Sequence, residues 1–150
     1  MTAQLCTFSV EHLFFGVEVT TVQEVLRAQP MTRVPLARAM VRGLLNLRGQ
    51  IVTAIDLRSY LGFPAREGGE PPMNVVLRGN EGSVSLLVDT IGDVIEVPLS
   101  SFEPPPSTMK PEQRRMIDAV CKLPGQLLLV LSPTLAQGFV HDDHQPRTVH

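Results

Sequence analysis

Residues Gly43–Gly62, with the sequence GLLNLRGQIVTAIDLRSYLG, carry the clearest structural pattern in the chain. Two apolar runs rich in strand-forming residues, Gly43–Leu47 and Ile51–Ile55, flank Arg48-Gly49-Gln50, which supplies the glycine of a tight hairpin turn. We therefore predict a β-hairpin with a single charged residue, Arg48, at its tip.

The same stretch predicts a short helix directly after the hairpin. Asp56 stands where a helix N-cap belongs, because its carboxylate can accept a backbone N–H of the first turn. The helical segment is Leu57–Leu61, and Gly62 ends it. These features are structural rather than catalytic, and they favour a scaffold that presents a surface.

Composition bounds the class of protein. The chain has 150 residues, 43% of them hydrophobic but only 5% aromatic, so one domain or two small subdomains must have a core of Leu, Val and Ile. A net charge of −2 argues against a general nucleic-acid binder. No apolar run reaches the roughly 20 residues of a membrane span, and the N-terminus lacks the pattern of a signal peptide. We expect a cytoplasmic protein without direct membrane insertion.

Cysteine and histidine placement gives no support for a metal site or a cofactor. Cys6 and Cys121 each lie in an apolar, strand-like run, which favours buried reduced thiols over a disulfide without excluding one. His141 and His144 flank two aspartates and could bind a metal weakly, but a solvated C-terminal tail over 139–150 is the preferred interpretation. We expect no metal and no cofactor.

Strands at short spacing with glycine turns dominate the rest of the chain, which favours a barrel or sandwich over alternating α/β units. Thr21 and Glu24 have the spacing of a capping box, so this segment is either a short helix or extended. Ala37–Arg42 is predicted as a helical turn, and Ser132-Pro133 as a helix start. The predicted strands are Leu5–Val10, Leu13–Val17, Asn74–Arg78, Ser83–Val88, Asp93–Val97, Met116–Leu123 and Gln126–Leu131.

The chain also repeats itself. Leu47–Val52 matches Leu123–Leu128 at an offset of 76 residues, and Val19–Val25 matches Val88–Val94 at an offset of 69. Two matches in the same order indicate two similar small barrels related by pseudo-symmetry. Each would be too small to be stable alone, so we expect them to pack on a shared core.

Residues that could perform catalysis are sparse. The serines fall in turns and caps, and His12 lies at a predicted hairpin turn. Asp56 and Asp118 are carboxylates near strand ends, but capping is the simpler explanation for Asp56. No phosphate-binding glycine loop occurs. A binding module remains, with an apolar groove between two barrels that would suit an amphipathic helix. The residues alone slightly favour the alternative, in which Val22 and Val94 belong to the core and Glu24 and Asp93 are solvated.

In the Gly43–Gly62 stretch and in the segments around it, the chain resembles the CheW family of chemotaxis coupling proteins. The hallmark hairpin of that family, Gly-Val-x-Asn-Leu-Arg-Gly, corresponds to Gly43–Gly49, and the apolar strand and Asp-Leu-Arg that follow correspond to Ile51–Ile55 and Asp56-Leu57-Arg58. Val22–Val25 and Val88–Val94 resemble the flanking family patterns. The resemblance covers roughly residues 5–137 in unbroken order.

The resemblance implies an all-β fold with short helices, in which two five-stranded SH3-like barrels form one domain over residues 1–138. It implies a non-catalytic adaptor between the signalling tip of chemoreceptors and the regulatory domain of a CheA-type histidine kinase. An ion pair of Arg48 with Glu24 that shapes the groove is the alternative to direct contact by Arg48, and the sequence leaves both open. The receptor-facing candidates carried over from the family are Val22, Glu24, Arg48, Ile91 and Val94.

The chain departs from the family at the expected kinase contact. Phe102-Glu103-Pro104 stands where the family often has Ile-Arg-Pro, and Ser107-Thr108-Met109 replaces an expected aromatic residue. We therefore expect Phe102 and Glu103 to mark an altered kinase or ring contact while receptor docking is retained. An adaptor for another motility or sensory partner is the alternative function, and a small-barrel nucleic-acid binder is the less favoured one.

Overall fold

The chain forms eleven β-strands and two short α-helices in the residues that the computed structural model describes, which are 1–66, 68–69 and 71–134. The strands are β1 (Thr2–Val10), β2 (Leu13–Glu18), β3 (Val22–Leu26), β4 (Val41–Leu47), β5 (Gln50–Asp56), β6 (Met73–Leu77), β7 (Val84–Val88), β8 (Thr90–Pro98), β9 (Phe102–Glu103), β10 (Ile117–Leu123) and β11 (Gln126–Leu131). The helices are α1 (Leu57–Tyr60) and α2 (Pro111–Met116). The predicted tail over 139–150 and the predicted helix beyond Ser132-Pro133 lie outside the described residues.

The strands form two sheets with the same internal order. One sheet, here barrel 1, has the order β3-β6-β7-β5-β4, and the other, barrel 2, has the order β8-β1-β2-β11-β10-β9. In both, one parallel pair (β5–β7 and β2–β11) interrupts otherwise antiparallel pairing. The prediction of two five-stranded barrels is confirmed, with the two-residue β9 as an addition to barrel 2. The barrels are interleaved, because the N-terminal hairpin β1–β2 joins the C-terminal strands.

The repeat found in the sequence extends to the register of the strands. Val41 pairs with Ile55 across β4 and β5, and 76 residues later Ile117 pairs with Leu131 across β10 and β11. Each pairing is followed by a bulge at the equivalent position. The edge strands β3 and β8 also each carry an irregularity in their pairing. Bulges bend a strand and increase its twist, so the two small sheets curve in the same way.

Three apolar clusters hold the two barrels together. The interior of barrel 1 contains Leu45, Leu47, Val52, Ala54, Val76 and Leu87. The interior of barrel 2 contains Ala3, Leu5, Val97, Cys121, Leu128 and Val130. The largest cluster lies between the barrels and takes residues from both, among them Phe8, Phe15, Ile55, Leu57, Leu86 and Leu131. Burial of one such Leu or Phe side chain contributes about 1.5–3 kcal/mol, so this shared core joins the barrels into one unit.

The structure decides one open alternative from the sequence and differs from the sequence-based prediction in two other segments. The segment after Thr21 is strand β3 rather than a helix, as its β-branched valines favour. Ala37–Arg42 is not a helical turn, because the chain makes turns and enters β4 at Val41. Helix α2 was not predicted, although Pro111 at its first position is a common helix start.

Candidate functional site

The hairpin between β4 and β5 turns through Arg48 and Gly49, both of which have positive φ, at 52° and 88°. This pair of angles is typical of a type I′ turn, which matches the twist of the flanking strands. Asn46 Oδ1 accepts a hydrogen bond from the N–H of Gly49 at 2.9 Å. A side chain in the left-handed region is uncommon outside glycine, asparagine and aspartate, so the turn holds Arg48 in a backbone conformation that arginine rarely adopts.

Arg48 and Glu24 form an ion pair that closes barrel 1 between β3 and the hairpin tip. Arg48 Nη1 lies 2.5 Å from Glu24 Oε2, and the hydrogen bond and charge of Glu24 raise the pKa of the Arg48 guanidinium. The Arg48 side chain is still 75% exposed, whereas that of Glu24 is 18% exposed. Glu24 Oε1 is buried and has no hydrogen-bond partner among the described residues. The ion pair left open by the sequence therefore exists, and it leaves most of Arg48 accessible.

A polar triad that the sequence did not reveal lies next to this pair in sequence and includes one residue from a third segment, Ser83. Ser83 Oγ donates to Gln23 Oε1 at 2.8 Å. Gln23 Nε2 lies 3.4 Å from Gln50 Oε1, and Gln50 Nε2 lies 3.4 Å from Ser83 Oγ. The three side chains come from β3, the start of β5 and the residue before β7, so they link these three segments of barrel 1.

The apolar candidates on β8 belong to barrel 2 and are exposed. The exposed fraction is 36% for Ile91 and 58% for Val94. Ile91 lines an open cleft together with Arg27, Ala28 and Met73. Since Arg27 and Ala28 follow β3 of barrel 1, the cleft lies between the two barrels. Large apolar side chains left in water beside a cleft are typical of a contact surface.

The five receptor-facing candidates do not all meet at one point. Glu24 and Arg48 are in direct contact, and Ile91 lines the inter-barrel cleft, but the other four candidates are not among the residues lining it. Val22 is half-buried on β3, and its carbonyl accepts a hydrogen bond from Arg78 Nη1 at 2.8 Å. The candidates thus lie on the two equivalent edge strands, one in each barrel, and on one hairpin tip.

The candidates for the kinase contact lie on β9 at the edge of barrel 2. Glu103 pairs with Val120 of β10, and its Oε1 lies 3.7 Å from Lys122 Nζ, with both side chains substantially exposed. Phe102 is half-buried and packs against the interior cluster of barrel 2. Of the two, Glu103 is therefore the residue that faces outward.

Metal-ligating side chains do not cluster in the described part of the chain. No cluster of three or more His, Cys, Asp or Glu side chains suited to a metal ion occurs there, while His141 and His144 lie outside it. Cys6 and Cys121 are free, and burial raises the pKa of both thiols above 9.0. No helix among these residues is long and apolar enough to cross a membrane.

Comparison with known proteins defines the class. The family model described as CheW-like domain matches residues 4–136, and the chain therefore belongs to the CheW-like domain family. Chemotaxis protein CheW of Bacillus subtilis is 29% identical over 137 residues, which cover 87% of this chain and 88% of that protein. Chemotaxis protein CheW of Rhizobium meliloti is 28% identical over 128 residues, covering 85% and 83%.

A solved structure shows the same fold. The crystal structure of scaffolding protein TtCheW from Thermoanaerobacter tengcongensis matches with a TM-score of 0.79 at 24% identity, and the match covers 88% of this chain and 90% of that one. The two curved sheets described above are thus the two SH3-like subdomains of this fold. The chain is a non-catalytic scaffold of chemotaxis signalling.

Proposed function

We propose that residues 1–138 act as one cytoplasmic adaptor that couples the signalling tip of a chemoreceptor to the regulatory domain of a CheA-type histidine kinase. The receptor-facing surface is the inter-barrel cleft and its two bordering strands, with Val22 and Glu24 on β3, Ile91 and Val94 on β8, and Arg48 at the hairpin tip. The adaptor needs no cofactor, since its work is to hold two proteins together.

The exposed apolar edge of β8 is the observation that carries this proposal. Val94 is 58% exposed and Ile91 is 36% exposed, and Ile91 lines a cleft to which both barrels contribute. An amphipathic helix places apolar side chains into such a groove and keeps its charged face in water. A receptor helix docked along β8 would bury these two side chains at the centre of the interface, where apolar contacts contribute most.

The ion pair of Glu24 and Arg48 supplies the polar border of this surface. Arg48 is mostly exposed, so its remaining N–H groups are free to meet a carboxylate or carbonyl of the receptor. Glu24 Oε1 is buried without a partner in the described residues, and a buried acceptor without a hydrogen bond is costly. The exposed guanidinium of Arg48 is therefore the group of this pair that meets the receptor and fixes the register of the helix, while Glu24 holds it in place.

The kinase contact is the altered one in this proposal. Glu103 places a negative charge where the family often has an arginine, and Lys122 neutralises part of that charge at 3.7 Å. Reversal of a charge at an interface changes which partners are attracted. We therefore assign the chain a retained receptor contact and a weakened kinase or ring contact.

Separate binding measurements test the proposal. The purified chain is titrated with a soluble chemoreceptor signalling-tip fragment and, independently, with the kinase regulatory domain. Val94→Glu should weaken receptor binding by roughly tenfold or more, because it buries an unpaired charge in an apolar contact. Leu127→Glu is the matched control, since Leu127 is a similarly exposed (39%) apolar residue on β11.

Two results would contradict the proposal. An unchanged receptor affinity of the Val94→Glu variant would exclude β8 from the receptor surface. Kinase affinity equal to that of a family member with arginine at the position of Glu103 would show that the kinase contact is intact.

A further inference from the structure

Four charged side chains meet where the two barrels join, and none of them is among the five receptor-facing candidates described above. The Arg58 network consists of Glu11, Arg58, Arg66 and Asp89. Glu11 lies in the β1–β2 turn of barrel 2, Arg58 lies on α1 of barrel 1, and Asp89 is the single residue that connects β7 of barrel 1 to β8 of barrel 2. Arg66 lies in the loop after α1.

The guanidinium of Arg58 links these segments through directed hydrogen bonds. Its Nη1 donates to Asp89 Oδ2 at 2.9 Å, and its Nη2 donates to Glu11 Oε1. Its Nε donates to the carbonyl of Pro64 at 3.2 Å. Arg66 Nη2 donates to the other oxygen of Asp89, Oδ1, at 2.7 Å. One arginine thereby fixes parts of both barrels and the loop that follows α1.

The Arg58 network is largely shielded from solvent, so its hydrogen bonds can hold the side chains in fixed positions. The Arg58 side chain is only 11% exposed. Burial lowers the pKa of its guanidinium, but the hydrogen bonds and charges of Glu11 and Asp89 outweigh that effect, so the pKa is raised and the group remains charged. Arginine in a sheltered fork of two carboxylates is held more rigidly than an exposed ion pair.

Three consecutive residues deliver this arrangement. Asp56 is the N-cap of α1, and its Oδ1 accepts the N–H of Arg58 at 3.1 Å. Leu57 is fully buried in the core shared by the barrels. Arg58 then reaches the charges of barrel 2. The Asp56-Leu57-Arg58 segment thus starts the helix, anchors it in the shared core and ties it across the junction.

The network also fixes one wall of the inter-barrel cleft. Asp89 lines the cleft together with Thr90 and Ile91, which begin β8. The N–H of Asp89 donates to the carbonyl of Ser9 at 3.0 Å, and Asp89 Oδ2 accepts the N–H of Glu11 at 2.7 Å. These contacts of Asp89 set the position at which β8 starts, and the start of β8 sets the direction of the Ile91 side chain.

We propose that Arg58 is a positioning residue for partner docking: through Asp89 and Glu11 it locks the two barrels at one relative angle and sets the start of β8. The docked helix then meets a preformed cleft and does not have to order it, which lowers the cost of binding. The effect on docking rests on the proposed receptor function, whereas the lock itself does not.

Hydrogen exchange by mass spectrometry, combined with receptor-fragment titration, tests this inference on the full chain. In Arg58→Ala, peptides covering residues 8–12 and 87–92 should exchange roughly tenfold faster or more, while β6 and β10 in the barrel interiors keep their protection. Affinity for the receptor fragment should fall by roughly 2- to 30-fold. Arg115→Ala, which removes an exposed arginine from α2, should change neither measurement.

Unchanged exchange at the junction in Arg58→Ala would overturn the inference, and so would faster exchange there without any loss of receptor affinity. If Arg58→Ala does not fold, Asp89→Asn takes its place, since it keeps the shape of the side chain and removes the charge between Arg58 and Arg66; faster exchange confined to the junction supports the lock, and unchanged exchange refutes it. Failure of the wild-type chain to bind the receptor fragment would instead refute the proposed function, and the exchange data would still decide the lock.

Discussion

The two barrels share strand order, register and bulges, yet their equivalent hairpins turn differently. In barrel 1 the turn is Arg48-Gly49, with φ of 52° and 88°. In barrel 2 it is Pro124-Gly125, where Gly125 has φ of 78° and the proline ring keeps φ of its own residue negative. A proline followed by a glycine at positive φ is typical of a type II turn. The duplicated backbone therefore tolerates two turn types at the same place.

This difference in the turn changes what each barrel presents. In barrel 1 the edge-strand carboxylate Glu24 pairs with Arg48 at the hairpin tip. In barrel 2 the equivalent edge-strand carboxylate is Asp93, but the equivalent tip residue is the uncharged Pro124. Barrel 1 thus offers charge to a partner, and barrel 2 offers the exposed apolar edge of β8. The groove between them is asymmetric although the fold that forms it is nearly symmetric.

The largest expected difference between the barrels concerns Gly43, because barrel 1 requires a glycine at this position and barrel 2 does not. A Cβ at Gly43 would lie 2.7 Å from the carbonyl oxygen of Thr32, which also accepts the N–H of Leu44 at 2.8 Å. Because backbone must move to relieve the clash, Gly43→Ala should lower the free energy of unfolding by about 1–3 kcal/mol. Thermal denaturation should show a decrease in Tm of about 2–4 °C for each kcal/mol.

The equivalent residue in barrel 2 is the matched control. Ala119 already carries a Cβ at this position of β10. Ala119→Gly should cost only about 0.5–1 kcal/mol, through the greater freedom of glycine in the unfolded chain. Equal losses in the two variants would show that the segment containing Thr32 yields easily and that the barrels are more alike than the structure indicates.

The hairpin tips provide the next test. Arg48→Glu places a second carboxylate against Glu24 and reverses the charge at the border of the groove. Because Arg48 is mostly exposed, the fold should remain intact, while affinity for the receptor-tip fragment should fall by roughly tenfold or more. Circular dichroism and denaturant unfolding monitor the fold, and titration measures the affinity.

Pro124→Glu introduces the same charge at the equivalent tip of barrel 2 and serves as the control. It should leave receptor affinity within roughly twofold of the wild type, since Pro124 is uncharged and its substitution breaks no ion pair. Unfolding of Arg48→Glu would mean that the ion pair is structural. Equal loss of affinity in both variants would mean that net charge, rather than the site, controls binding.

Much of the fold could be predicted because it rests on local and periodic features. The glycine turn, the N-cap at Asp56 and the 76-residue repeat predicted the hairpins, helix α1 and the duplicated architecture, all of which the structure confirms. Helix α2 was missed because it is short and directly precedes an apolar strand. The interleaving of the barrels depends on pairing β2 with β11, more than 100 residues later, which local patterns do not encode.

The candidate site was less predictable for the same reason. An ion pair of Arg48 with Glu24 was one of two alternatives, since sequence does not reveal which charges meet across 24 residues. The role of Arg58 could not be inferred, because its partners Glu11 and Asp89 lie 47 and 31 residues away and are brought together only by the junction of the barrels. The sequence showed Asp-Leu-Arg as a family pattern, but only the structure shows which contacts these three residues make.

The smallest expected effect concerns the kinase contact, where Glu103 of barrel 2 corresponds to Thr32 of barrel 1. Glu103 pairs with Val120 on β10, and Thr32 forms the equivalent bridge with Leu44 on β4, 76 residues before Val120. Glu103→Arg should raise affinity for the kinase regulatory domain by roughly two- to fivefold, the range expected for one exposed charge.

Thr32→Arg adds the same charge at the equivalent bridge and should not change kinase affinity, if the contact belongs to barrel 2 alone. Glu103→Arg also loses its ion pair with Lys122, which is exposed and separated by 3.7 Å, so stability should change little. Isothermal titration with the regulatory domain measures both variants against the wild type. A gain with Thr32→Arg equal to that with Glu103→Arg would assign the improvement to overall charge, whereas no gain with either would remove Glu103 as the cause of a weakened kinase contact.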